Sequence, residues 1–319
     1  MAALTVAVIG ARRVRNGTGP FLALHAAAAG AEVISVLGTS EDSAFEAAAW
    51  LQERGLSPRA FHDWESLVAA TAPDVLIVAS PTGTHRPWLA QARAAGCHVL
   101  CEKPLLTAPA EVSERIAMQY AAQGLVLEEI CQWPYSLKAF EQLHPQVDLQ
   151  RVTRFRMLLA PPLRGLLRWQ EMLSHPLSLL QQLSPGPAEL QNIHFHERSA
   201  EDPDVRVDFQ YQGFTRNIQV EFVLEDLGRF PRPAEYALDD HLCRRVVEGT
   251  SYEIGFTAQN DGEQSEVTCG DPMAQQVTDF LARVVRAKER QEAALDESLL
   301  RRQFLLETLL EQYHAHREA

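Results

Sequence analysis

The chain has 319 residues, 46% of them hydrophobic, which is long for one core and suits two domains sharing one cleft. Its formal net charge is −13, and no long run of lysine or arginine breaks the acidic average. That balance argues against nucleic acid or an anionic membrane surface as partner and still allows a small anionic cofactor, which needs only a local site. The five cysteines, Cys97, Cys101, Cys131, Cys243 and Cys269, are scattered and lack metal-type spacing, so neither a disulfide framework nor an oxidising compartment is expected. Met1 leads straight into LTVAVIG, with no charged leader and no apolar span of bilayer length, and the expectation is a soluble cytoplasmic protein.

In chain order, residues 4–10 form a Val/Ile run that ends at glycine, and 20–29 read as a helix rich in alanine and leucine. AEVISVLG (31–38) is a second buried strand, 43–53 a helix, 63–70 a short helix, and PDVLIVASP (73–81) a further apolar run stopping at a turn. A helix over 85–95, the run GCHVLCEKP, a helix over 108–122 and the strand LVLEEI (125–130) follow. Strands apolar on both faces that alternate with helices predict a doubly wound parallel sheet over 1–130, an α/β domain of Rossmann type. After about residue 131 the runs VTRFRMLLA, LQNIHFHERS, VRVDFQYQ, FTRNIQVEFVLE, SYEIGFTAQ and SEVTCG tend to alternate with period two. They predict an α+β domain over 131–319 with an open, mostly antiparallel sheet. It would also hold a helix over 166–183 and closing helices over 272–290 and 297–316.

A doubly wound sheet binds its nucleotide at the turn after the first strand, where backbone amides and a helix N-terminus meet the pyrophosphate. Here that turn reads GARRVRNGTGPF. Gly10 holds the usual first position, but G-x-G-x-x-G is absent and Gly17-Thr18-Gly19 follows a longer basic loop. A structural glycine turn is the plain alternative, and the position between strand and helix favours a cofactor. Strand two ends Gly38-Thr39-Ser40-Glu41, with no carboxylate at its tip for a ribose 2′-hydroxyl. Thr39 and Ser40 can accept a 2′-phosphate that Arg12, Arg13 or Arg15 neutralises, so NADP(H) is favoured while NAD(H) stays open through Glu41 or Asp42.

The stretch HVLCEKPLLTAPAEV (98–112) sets Glu102, Lys103 and Pro104 at the end of an apolar run, where a lysine is costly unless paired or put to use. With IVASPTGTHRPWLAQARAAGCHVLCEKPLL (77–106), the chain resembles the glucose-fructose oxidoreductase, inositol dehydrogenase and MocA (Gfo/Idh/MocA) group of nicotinamide-dependent oxidoreductases. The resemblance implies a nucleotide-binding first domain and a substrate-binding second domain whose open sheet carries subunit contacts in a homodimer or homotetramer. It implies that Lys103 lies beside nicotinamide and substrate, with Glu102 orienting it or the carboxamide. It also implies cofactor contacts from Ser80, Pro81, Thr82 and His85, where a helix cap at Thr82 or Thr84 is the plainer reading. The family's Asp-x-Gly-x-His segment falls on EMLSHPLSLL, with Glu171 at the aspartate, Leu173 at the glycine and His175 at the acid/base histidine. The family's arginine is missing from Gln132-Trp133-Pro134-Tyr135, and Trp133 or Tyr135 either walls the pocket or simply packs.

His194 and His196 stand two apart on one strand face, an incomplete metal site for which an interface or structural role is the better account. Taken with the residues of the glycine turn and the Glu-Lys-Pro stretch, the resemblance implies an NAD(P)-dependent oxidoreductase acting on a small hydroxylated substrate such as a sugar or cyclitol, with Lys103 and His175 as acid/base pair and Glu171 in support. Two alternatives stay open: reduction of an imine or enamine, and a non-catalytic NAD(P)-binding protein of the same fold.

Overall fold

In the computed structural model the described residues are 3–13, 17–226, 232–247, 254–260 and 263–318. Arg15 lies outside them. The chain divides into two compact units, Met1–Ile130 with Met273–Leu300, and Cys131–Pro272 with Arg301–Ala319.

The first unit begins with β1 (Thr5–Ile9), α1 (Gly19–Ala28), β2 (Glu32–Leu37), α2 (Glu41–Gln52), β3 (Arg59–Phe61) and α3 (Trp64–Thr71). It continues with β4 (Val75–Val78), α4 (His85–Ala94), β5 (His98–Cys101), α5 (Ala110–Ala121) and β6 (Leu127–Glu129). Among the described residues the strands form a six-stranded sheet in the order β3-β2-β1-β4-β5-β6, with every neighbour parallel. That is the doubly wound order, and its direction reverses between β1 and β4, which places the ligand crevice at their carboxyl ends. β4 and β5 are buried at every residue, as a sheet covered on both faces requires. Local chemistry starts the helices: the Ser40 hydroxyl accepts from Ser43 N at 3.2 Å while the Ser43 hydroxyl accepts from Ser40 N at 2.9 Å, a reciprocal cap on α2.

The second unit holds α6 (Leu137–Leu143), β7 (Arg154–Leu159), α7 (Gly165–Met172), α8 (Ser174–Leu183), β8 (Ala188–His196), β9 (Val205–Gly213) and β10 (Asn217–Leu224). β11 (Ala234–Leu238), β12 (His241–Val247), β13 (Ile254–Asn260) and β14 (Glu263–Val267) complete its strands. These form an eight-stranded sheet among the described residues, ordered β14-β13-β12-β11-β7-β10-β9-β8 and antiparallel except where β10 runs parallel to β7. β9 alternates buried and half-buried residues along most of its length, the pattern of one covered face. The helix expected over 166–183 is two helices, because Pro176 has no amide to give and its ring crowds the carbonyl four residues earlier, which breaks the helix at Leu173.

The expected single boundary at residue 130 differs from the observed division. α9 (Pro272–Arg290) returns to the first unit, and its buried stripe of Met273, Val277, Phe280, Leu281, Val284 and Ala287 joins the core formed by β1, β2 and α1. Polar contacts fix it there. Gln276 Nε2 donates to Glu128 Oε1 at 2.8 Å and to the Glu129 carbonyl at 2.9 Å, Arg283 pairs with Glu128, and Lys288 with Asp74. α10 (Glu297–Glu318) follows, started by Asp296, whose Oδ1 accepts from Ser298 N at 3.0 Å and Leu299 N at 3.1 Å.

Candidate active site

The two ends of the turn between β1 and α1, at Gly10 and Gly19, are closely packed. Gly10 has φ +79°, and a β-carbon there would stand 2.4 Å from the Ala79 carbonyl oxygen. A β-carbon on Gly19 would stand 2.3 Å from the Gly10 carbonyl oxygen. Only glycine fits at either position. Thr18 precedes α1 without capping it, since its hydroxyl donates to the Glu102 carboxylate, and no acidic residue occupies the helix's first turn. A helix start left uncapped by its own side chain and with no acidic residue in its first turn suits a pyrophosphate, so this donor set fits a dinucleotide despite the long loop. Arg13 Nη1 donates to the Gly17 carbonyl at 2.9 Å, and its guanidinium lies 4.7 Å from the Phe21 ring centre, which ties Arg13 to the start of α1.

At the tip of β2, Thr39 and Ser40 are exposed and the Ser40 hydroxyl serves the cap of α2. Arg12 forms a solvent-exposed ion pair with Glu46. A pair this open contributes little, so the guanidinium can exchange partners cheaply. After β4, Ser80 Oγ lies 2.7 Å from Thr84 Oγ1, and Thr84 Oγ1 donates to the Pro81 carbonyl at 2.7 Å. The cap expected from Thr84 is therefore not made, because that hydroxyl turns back to close the turn; Pro81 is exposed and Thr82 half-buried. His85 is wholly buried, with Nε2 2.9 Å from the Ser80 carbonyl and Nδ1 3.1 Å and 3.2 Å from those of Pro104 and Leu105. It ties the turn after β4 to the turn after β5.

Val99, Leu100 and Cys101 are fully buried, and burial pushes the Cys101 thiol well above its ordinary range, so it stays a neutral packing group. Directly beyond them Glu102 and Lys103 are half-buried. Glu102 accepts from Thr18 and, through Oε2, from Lys103 N at 3.2 Å, linking the lysine's backbone to the glycine turn. Two contacts that sequence reasoning missed complete this corner: the Thr18 hydroxyl, and the buried Glu129 carboxylate, which accepts from Leu105 N at 2.8 Å. Two adjacent glutamates in a short strand were the available signal for Glu129, because buried carboxylates need partners.

In the second unit His175 sits in the first turn of α8 and is 8% exposed, while Glu171 is half-buried near the end of α7. The Trp133 ring meets His175 edge to face at 6.3 Å, and the Arg245 guanidinium lies 5.8 Å from the Trp133 ring centre. Trp133 also packs edge-on to Tyr236 at 6.1 Å, and it belongs to the core of this unit while bordering the histidine. His194 and His196 project from the exposed face of β8, and His196 Nε2 meets Asp208 at 2.8 Å. Among the described residues no group of three or more His, Cys, Asp or Glu side chains is arranged for a metal ion, and no helix is long and apolar enough to cross a membrane.

Residues 4–128 match the oxidoreductase family described by its NAD-binding Rossmann fold. D-xylose 1-dehydrogenase (NADP(+)) 2 of Haloferax volcanii is 37% identical over 28% of this chain and 27% of its own length. D-glucoside 3-dehydrogenase of Escherichia coli is 32% identical over 35% of this chain and 30% of its own. The matched stretch thus spans less than a third of either curated relative. Over the whole chain the fold is that of UDP-N-acetylglucosamine 3-dehydrogenase of Acidithiobacillus ferrooxidans, with TM-score 0.69, 20% identity and coverage of 99% of this chain and 98% of that one. Myo-inositol 2-dehydrogenase of Lactobacillus plantarum gives TM-score 0.69 at 13% identity, again covering 99% and 98%. Residues 4–128, which carry the glycine turn and the Glu-Lys-Pro corner, are thus similar to the NAD-binding Rossmann domain of the Gfo/Idh/MocA oxidoreductase family.

Proposed function

We propose that this chain is an NAD(P)-dependent oxidoreductase acting on a small hydroxylated compound, a sugar, a cyclitol or a derivative of one. The observation that carries the reading is the corner at the carboxyl end of β5, where Lys103 is tethered through Glu102 and Thr18 to a turn shaped for a dinucleotide. The dehydrogenation of xylose and of glucosides named for the two relatives supports the substrate class.

The nicotinamide, when bound, supplies the hydride donor or acceptor. Gly10, Gly17 and Gly19 with the first amides of α1 would hold the pyrophosphate, and Ser80, Pro81 and Thr82, backed by His85, would line it from the neighbouring turn. Lys103 hydrogen-bonds the substrate oxygen and stabilises negative charge as it develops there. His175 takes the hydroxyl proton during oxidation and returns it during reduction, with Glu171 supporting the ring. NADP(H) is preferred to NAD(H), because Thr39 and Ser40 stand where a carboxylate would repel a 2′-phosphate, and Arg12 is free to exchange its exposed partner for one. The protein works in the cytoplasm as a homodimer or homotetramer built through the second unit's sheet.

The first test is a fluorescence titration with NADPH and NADH, followed by a turnover screen of sugars and cyclitols. Micromolar binding with NADPH ahead is expected, and Ser40→Asp then weakens NADPH selectively. Absence of binding at near-millimolar concentration sinks the reading in favour of a fold that has lost its nucleotide. Lys103→Ala lowers turnover at least about a hundredfold while cofactor affinity is kept, and unchanged turnover removes the lysine from the chemistry.

A further inference from the structure

The turn that carries Lys103 leaves the sheet at once, so its main-chain groups have no ladder to join. Leu105 is 0% exposed, and a buried amide without an acceptor is costly to a fold. The chain answers with a carboxylate. Glu129, the last residue of β6 and 1% exposed, accepts from Leu105 N through Oε1 at 2.8 Å. On the other side of the turn His85 holds the carbonyls of Pro104 and Leu105. β5 lies between β4 and β6 in the sheet, so the turn is gripped from the start of α4, the helix that follows β4, and from the end of β6. Glu129 is itself anchored: its carbonyl accepts from Gln276 Nε2, the same amide nitrogen that reaches Glu128, whose carboxylate Arg283 pairs.

We infer that Glu129 is a positioning residue for Lys103. By fixing the Leu105 amide two residues downstream, it sets where the lysine leaves the sheet, and it acts on the substrate only through that lysine. The inference rests on the proposed role of Lys103. A side-chain oxygen of this reach suits the task because it accepts from an amide that burial would otherwise leave without a partner. Displacing a reacting group by about an ångström is enough to cost about a hundredfold in rate.

The chain contains only three lysines, Lys103, Lys138 and Lys288, so reductive methylation with a ¹³C label yields a spectrum simple enough to assign by replacing each lysine with arginine. In the full-length protein, Glu129→Ala is expected to move or broaden the Lys103 signal while those of Lys138 and Lys288 stay in place. Its kcat falls by about tenfold to a hundredfold with KM and NADPH affinity kept within about twofold. Glu129→Gln, which keeps an acceptor at the same reach, returns both the signal and kcat. A Lys103 signal unmoved by Glu129→Ala overturns the inference. So does displacement of all three signals with a lowered thermal midpoint in the Ala and Gln variants alike, which would make Glu129 a support of the fold at large. A wild-type chain that turns over nothing, yet whose Lys103 signal alone responds to Glu129→Ala, removes the oxidoreductase reading and leaves the positioning contact standing.

Discussion

A β-carbon on Gly19 has nowhere to go, since the obstacle 2.3 Å away is the main-chain oxygen of Gly10 and backbone cannot swing aside as a flexible side chain would. Gly19→Ala is therefore expected to pry the turn open, weakening NADPH binding at least about tenfold and destabilising the fold by about 1–3 kcal/mol. Wild-type affinity in that variant would mean that the nucleotide does not use this turn. A second residue ties stability to acidity. His98 is 5% exposed, its Nδ1 accepts from Val126 N at 2.9 Å, and burial, helped by the charge of Lys288, holds its pKa down to about 4. The folded ring stays neutral where an unfolded imidazole, with its ordinary value of 6.5, takes up a proton. This contribution is complete above about pH 6.5 and is lost as the pH falls toward 4. Thermal midpoints across that window should fall more steeply in the wild type than in His98→Gln, and equal slopes would refute the assignment. The place of Lys103 directly beyond a buried strand is legible from sequence because its triplet ends an apolar run. Glu129 is not, because LVLEEI does not say which turn its carboxylate will face once β5 and β6 lie side by side.

Elements were readable where one rule governed them. The runs at β1, β2, β4 and β5 are apolar on both faces, and the stripe of α9 repeats every three or four residues, so both announce themselves. β11 and β12 escaped because their pattern is mixed. Glu235 is buried within β11 and balanced by Arg244 from β12 at 2.7 Å, which blurs the alternation. Their hairpin turns on Asp239-Asp240, with Asp239 at φ +51° and its carboxylate accepting from Thr153 and Arg154, a less familiar signal than Asn-Gly. The weight carried by α9 can be measured. Phe280 is fully buried in the first unit's core, and Phe280→Ala should cost about 3–5 kcal/mol in denaturant unfolding, whereas a loss below about 1 kcal/mol would show that the helix is dispensable to that core.

For the whole molecule, the two fold types followed from the switch in periodicity near residue 131, but the division of the chain between the units did not. Periodicity reports which face of a helix is apolar and is silent on which sheet it will cover, so α9 was grouped with the strands that precede it. A chain stopped after residue 271 should leave the core around Val33, Leu51 and Val126 uncovered, bind hydrophobic dyes and lose cooperative unfolding of its first unit. Cooperative unfolding in that fragment would show that 1–130 stands alone. The same return has a meaning during synthesis. The ribosome delivers the parallel strands early, yet the helix that seals them emerges only after all fourteen strands of the described chain have been made. At translation speeds of about 5–20 residues per second the half-covered sheet waits for about 8–32 s, with its apolar face open to chaperones and to neighbouring nascent chains. The unit begun first is thus the one finished late, and its yield in the cell should respond more to elongation rate and chaperone supply than that of a protein whose nucleotide fold is contiguous.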